Sequence, residues 1–290
     1  MAEQDTRKGI WLMVAVTFIF AMQDGISRHI AGEYNVFMAL MVRFWFFAGF
    51  VIVLAARAPG GLKKATRSAQ PLVQIARSVI MIVEVIVMVQ AFVLLGLVET
   101  HAVFASYPLI VAVLSGPILG EKVGWRRAIA IAIGFVGVLI ILEPGFGVFS
   151  AKALVPLAAA FLFALYSLLT RYVGRKDPAS VSFFYTGVVG AIVVTAIGLP
   201  YWEPLAPADW GWMAVLCLTA STAHFLLIKA YEVAEASAIQ PFAYLQLVWA
   251  AGLGMIVFDE VLEPNVAIGA GVVAAAGIFT ILRTGRKRRS

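Results

Sequence analysis

The chain has 290 residues, of which 62% are hydrophobic and only 13% charged, and its mean hydropathy is +0.95. So few charges could not solvate a globule of this size, which excludes an ordinary soluble domain. The net charge of +6 invites a nucleic-acid reading that the placement of the charges argues against, and a lone cysteine, Cys217, excludes an intrachain disulfide.

In chain order, apolar stretches long enough to cross a hydrocarbon core of roughly 30 Å recur at residues 10–30, 35–56, 71–95, 101–119 and 124–142. A second series follows at 152–173, 179–199, 210–231, 236–258 and 265–283. No water is available there to bare backbone groups, so these spans are expected to be helices. The short alternating segments of a β-barrel do not occur. The first span is long, contains Asp24 and lacks a small-x-small site at its end, so a cleavable signal is not expected. Every predicted connection is short, which leaves no soluble domain. The expected fold is an all-α membrane protein with ten transmembrane helices.

The chain also repeats itself. Residues 124–142 (GWRRAIAIAIGFVGVLIIL) lie over 264–282 (PNVAIGAGVVAAAGIFTIL), with Gly137 on Gly277. Residues 18–30 (FIFAMQDGISRHI) lie over 161–173 (FLFALYSLLTRYV), sharing Phe-x-Phe-Ala and a later Ser/Thr-Arg. Two halves follow, 1–145 and 146–290, each with five spans. An odd number forces the second half to insert inverted, an arrangement typical of secondary transporters. With the N-terminus inside, 17 of the 22 Lys and Arg residues fall at cytoplasmic ends, whereas Arg28 and Lys152 stand alone outside. The positive-inside rule then places both termini in the cytoplasm. The terminal RKRR reads as an anchor on the anionic leaflet, not a nucleic-acid patch.

Residues 91–121 (AFVLLGLVETHAVFASYPLIVAVLSGPILGE) and 230–260 (AYEVAEASAIQPFAYLQLVWAAGLGMIVFDE) share a small-residue helix, an intramembrane proline and a terminal acid, each followed by a glycine-rich last span. In this the chain resembles the drug/metabolite transporter superfamily, its ten-helix EamA type, and within it the YddG-like bacterial exporters of aromatic amino acids. The resemblance implies a central cavity lined by spans 1, 3, 4, 6, 8 and 9, exposed alternately to the two sides, and export of small metabolites. Glu99, Thr100 and His101 have only a loose counterpart in Glu235, Ala236 and Ser237, so the halves are not expected to be functionally equivalent.

Ionisable groups at membrane depth normally face a cavity or a partner. On span 3, Gln74, Arg77, Ser78, Met81, Glu84 and Met88 recur at helical spacing and form one polar stripe. Either Glu84 and Arg77 meet the charged ends of an amino acid, or Arg77 snorkels to the surface and Glu84 bonds a neighbouring helix. Asp24 follows Gln23 on span 1 and precedes Arg28 by four residues, a spacing that suits an ion pair as well as a substrate contact. His101 and His224 titrate near neutral pH in water and are read as packing residues or ligands. Arg43 has no acid one turn away and is read as pairing across helices, binding backbone carbonyls or touching substrate. His29 is expected to be solvated, and Lys229 to snorkel. Tyr107, Tyr166, Tyr244, Gln246 and Trp249 offer hydrogen bonds and amphipathic surface to a small zwitterion, or ordinary packing.

The expected substrate-binding set is therefore Gln23, Asp24, Ser78, Met81, Glu84, Met88, His101, Tyr107, Tyr166, Tyr244, Gln246 and Trp249. Pro108 and Pro241, inside spans 4 and 9, are expected hinges, because proline removes a helical hydrogen bond. Trp11, Trp125, Trp202, Trp210 and Trp212 fall near span ends as interfacial anchors, and Gly134, Gly137, Gly269, Gly271 and Gly277 suit close helix packing. No metal spacing, nucleophile elbow or phosphate loop occurs, so neither an enzyme nor a cofactor is expected. The sequence reads as a monomeric exporter of amino acids and related small metabolites. The alternatives are efflux of cationic drugs or other metabolites, or an intramembrane enzyme using Asp24, Glu84 or a histidine as acid and base.

Overall fold

In the computed structural model the predicted apolar runs become helices, and the breaks between them are made by identifiable residues. The structure describes residues 5–95, 97–121, 124–142 and 154–257, together with 264, 267–269, 271, 272 and 275. Predicted span 10, Gly277 and the basic C-terminus therefore lie largely or wholly outside the described residues. The helices in order are α1 (Thr6–Glu33), α2 (Val36–Arg57), the short α3 (Gly61–Ala65), α4 (Pro71–Leu95), α5 (Leu97–Phe104), α6 (Tyr107–Leu119) and α7 (Trp125–Leu142). They continue as α8 (Leu154–Val173), α9 (Ala179–Gly198), α10 (Asp209–Val233), α11 (Ala236–Ile239) and α12 (Leu245–Val257). No strand occurs among the described residues. Six helices, α1, α2, α4, α8, α9 and α10, are long and apolar enough to cross a membrane.

Local chemistry sets several helix ends. Asp5 caps α1 by accepting from the Lys8 amide at 3.1 Å, and Asn35 caps α2 by accepting from the Phe37 amide at 2.9 Å. Gly120 ends α6 in the left-handed region at φ 65°, where a side chain would be strained. Its amide bonds the Gly116 carbonyl and that of Glu121 reaches the Ser115 carbonyl. This turn aims Glu121 back beneath the bundle.

Two predicted spans are not continuous helices. Span 4 divides at Ala105 and Ser106 into α5 and α6, and Pro108 sits in the first turn of α6, where its missing N–H costs nothing. Span 9 divides into α11, a 3₁₀ turn at Gln240–Phe242 that holds Pro241, and α12. Both prolines therefore start segments, and neither kinks a continuous helix. A proline that does lie inside a helix is Pro117, in α6.

Packing follows from small residues and close approach, since lipid removes most of the hydrophobic drive between helices. The helix pairs α1–α10, α4–α8 and α2–α9 form the main contacts. Gly187 and Gly190 on α9 receive Phe44, Phe47 and Val51 of α2, and a Cβ at Gly190 would overlap the Phe44 ring. Gly134 of α7 likewise seats the ring of Tyr244. A Cβ at Gly271, by contrast, would meet open space among the described residues. Phe46, Phe50, Leu72 and Val113 turn outward, as a lipid-facing surface requires. Trp11, Trp125, Trp202, Trp210 and Trp212 are all exposed.

The bundle has two dissimilar ends. The first carries the start of α1, the ends of α2, α6, α8 and α10, and the starts of α4, α9 and α11. There Glu121, only 3% exposed at its side chain, accepts from Arg171 Nε at 3.2 Å and lies 3.7 Å from Arg175. It also accepts from the amides of Ala236 and Ser237, each at 3.3 Å, at the start of α11. Arg171 Nη1 donates onward to the carbonyls of Tyr231 and Glu232. Asp177 ties Ser68, the Ala69 amide and Gln74 together, and Glu232 caps α9 through the Ala179 amide. Lys229, 38% exposed near the end of α10, pairs with Glu232 at 2.7 Å. At the opposite end, Tyr34 donates to Asp209 at 2.7 Å, the Asn35 amide donates to Glu203, and the exposed His29 lies 3.5 Å from Asp209. The Asp209 carboxylate beside it raises the Tyr34 phenol above its ordinary pKa.

Candidate functional site

A cavity runs from the middle of the bundle toward the end where α1 meets α2. Its lining includes Phe20, Gln23, Asp24, Ser27 and Ile30 of α1, and Val36, Ala39, Leu40 and Arg43 of α2. Glu84, Val85, Met88 and Val89 of α4 form another wall, completed by Phe104, Phe163, Leu216, His224 and Gln246. A smaller chamber adjoins it through Phe104 and Gln246, and there His101, Tyr107, Pro108 and Tyr244 meet. Both interrupted spans border this chamber.

The cavity's polar groups differ in how well they are held. Asp24 Oδ2 lies 2.9 Å from His101 Nε2 and accepts from Gln246 Nε2 at 3.1 Å, so α1, α5 and α12 converge on one carboxylate. These partners lie on other helices; the Arg28 side chain, the expected partner, is outside the described residues. Glu84 is 5% exposed and has no hydrogen-bond or ion-pair partner among the described residues. Arg43, 3% exposed, has Nη2 3.3 Å from His224 Nε2 as its hydrogen-bond contact among the described residues, and its guanidinium lies 5.6 Å from the Phe44 ring centroid. The rings of Phe20, Phe47 and Tyr166 surround that imidazole. Among the described residues, Glu84 and Arg43 therefore stand in the cavity wall without neutralising each other by contact.

Of the twelve predicted substrate residues, Gln23, Asp24, Glu84, Met88 and Gln246 line the main cavity, and His101, Tyr107 and Tyr244 line the chamber beside it. The remaining four lie elsewhere. Ser78 is buried and donates to the Gln74 carbonyl, Met81 is buried in the core, and Tyr166 packs under Arg77. Trp249 donates to Thr17 at 3.2 Å and meets Phe18 edge to face. Arg77 neither lines the cavity nor snorkels. It is fully buried and donates to Gln74, Thr170, Thr186 and the Ser182 carbonyl.

The polar stripe of α4 thus reaches the cavity only in its second half, because its first half packs against α8 and α9. Phe20, Phe104 and Phe163 were missed. Two of them carried a signal, since Phe20 and Phe163 are the second phenylalanines of the repeated Phe-x-Phe-Ala and meet in one cavity.

Long apolar helices enclosing a charged cavity are the build expected of a membrane transporter. The sequence profile of the EamA-like transporter family matches residues 7–143 and again 150–283, and the chain belongs to that family. It is 24% identical over 271 residues to an S-adenosylmethionine uptake transporter of Rickettsia prowazekii, covering 93% of this chain and 91% of the relative. It is 32% identical over 190 residues to a riboflavin transporter of Vibrio cholerae, covering 65% of this chain and 64% of that one. A solved crystal structure superposes over 98% of both chains with a TM-score of 0.77 at 17% identity, a likeness of fold alone.

Proposed function

We propose that this protein is a secondary carrier that moves amino acids and related small metabolites across the bacterial inner membrane by alternating access. The observation that carries the reading is Glu84, a carboxylate buried in the cavity wall with no partner among the described residues. Such a group is costly unless a ligand, a proton or water meets it. S-adenosylmethionine, named for one relative, bears an α-amino-acid end, which agrees with this substrate class. That relative is named for uptake, so the export implied by the sequence resemblance is the part of the proposal that direction-resolved assays decide.

Two inverted five-helix halves, 1–145 and 146–290, are the proposed frame. Each half takes its own match to the family profile, and the main contacts pair spans 1 with 8, 3 with 6, and 2 with 7. A twofold axis in the membrane would exchange the first two pairs and preserve the third. With the N-terminus inside, the cross-linked end faces the cytoplasm and the cavity faces outward. Pro108 and Pro241 are the proposed hinges, both placed where a span is already divided. The second reading, efflux of organic cations, is favoured by one observation: Asp24 and Glu84 outnumber Arg43 in the cavity.

The test is uptake of labelled amino acids into liposomes holding the purified protein, with and without a pH gradient. Saturable uptake is expected, and acceleration by the gradient would add proton coupling. Transport of organic cations with none of any amino acid would replace the first reading with the second.

A further inference from the structure

Arg43, set against His224, differs from the other buried arginines of the bundle. A guanidinium has no acceptor, so the 3.3 Å contact between Arg43 Nη2 and His224 Nε2 requires the imidazole nitrogen to accept. A neutral imidazole that accepts at Nε2 carries its hydrogen on Nδ1. His224 Nδ1 and Arg43 Nε are therefore both donors. Both are buried without a hydrogen-bond partner among the described residues.

Both residues line the cavity, and both are 3% exposed. Among the described residues no carboxylate lies within ion-pair distance of Arg43. Asp24 is held by His101 and Gln246, and Glu84 belongs to a different wall. The imidazole cannot swing away to find an acceptor, because Phe20, Phe47 and Tyr166 fix its ring. A permanent positive charge and two buried N–H groups thus stand beside the cavity without an anionic acceptor among the described residues. The remaining acids of the cavity disfavour a dianion such as a phosphate monoester, whereas a carboxylate supplies two oxygens and a single charge.

Resting on the reading of this cavity as the place where substrate binds, we propose that Arg43 and His224 form a carboxylate subsite. The substrate's ammonium then lies toward Glu84 and Asp24. The accepted class is α-amino acids and their derivatives with a free carboxylate, and organic cations lacking one are excluded.

The experiment measures thermal stabilisation of the purified full-length protein by matched pairs: phenylalanine against phenylalaninamide, and phenylacetate against phenylacetamide. In the wild type the acid of each pair should bind about tenfold more tightly than its amide, as a charge-assisted pair predicts. Arg43→Gln should abolish that preference, and His224→Phe, which keeps a ring but removes the donor, should weaken it. Equal binding of acid and amide, no stabilisation by either acid, or an undiminished preference in Arg43→Gln overturns the subsite. If Arg43→Gln does not fold, the wild-type pairs and His224→Phe still decide. Acid preference without amino acid uptake in liposomes keeps the subsite and removes the proposed substrates. Uptake without acid preference removes the subsite alone.

Discussion

The cross-linked end of the bundle and the cavity both bury charge, yet they treat it oppositely. At the cross-linked end Arg171, Glu121 and Asp177 each hold several partners, and deeper in the bundle Arg77 has four acceptors. In the cavity, among the described residues, Arg43 has one hydrogen-bond partner, an imidazole, and Glu84 has none. Satisfied charges hold helices together; unsatisfied ones in the same low-dielectric interior are costly, and the proposed substrate site rests on them. Burial alone does not separate the two roles, since Arg77 and Arg43 are both buried. The count of partners does.

The contrast can be broken most forcefully at Arg171. Replacing it by alanine leaves Glu121 buried without its main cation and two carbonyls without a donor, and should cost about 3–5 kcal/mol of stability. Thermal unfolding of the purified variant reads this, and an unchanged melting temperature would show that the end is held by other contacts. In the cavity the expectation reverses. Glu84→Gln should cut uptake of the transported substrate by about tenfold or more, while leaving the melting temperature equal to or above wild type. Normal transport of every substrate by that variant would remove Glu84 from the site. The smallest effect belongs to Tyr34→Phe, which loses the bonds to Asp209 and the Ala206 amide. A slight fall in melting temperature is expected. Because the phenol is raised, the tyrosine's contribution is fully present below its ordinary pKa of 10.0 and fades as pH rises through the higher folded value. A difference between the two proteins that grows with alkalinity would contradict this.

Hydropathy made the long helices legible, because twenty apolar residues in a row have few other uses. It could not see the breaks in spans 4 and 9, where apolar residues continue on both sides. The prolines mark those places: Pro108 read as a first-turn residue locates the start of α6, whereas Pro241 lies in the 3₁₀ turn before α12. Glu84 was legible as a lone acid at depth. Arg43 and Arg77 looked alike in sequence, since the groups that distinguish them, Thr170, Ser182, Thr186 and His224, lie more than ninety residues away. Ser78 and Met81 share the helical face of Glu84 but sit where α8 and α9 cover it. A straight stripe says nothing of how far along a helix a cavity extends.

Glu121 fastens more than its own helix. Through one carboxylate it holds Arg171 of α8, which grips the last carbonyls of α10, and the first amides of α11. If the protein rocks open at this end, these attachments do not loosen in turn. They share a single clasp, so the conformational step should behave as one all-or-none event, with a steep activation enthalpy that limits turnover in the cold.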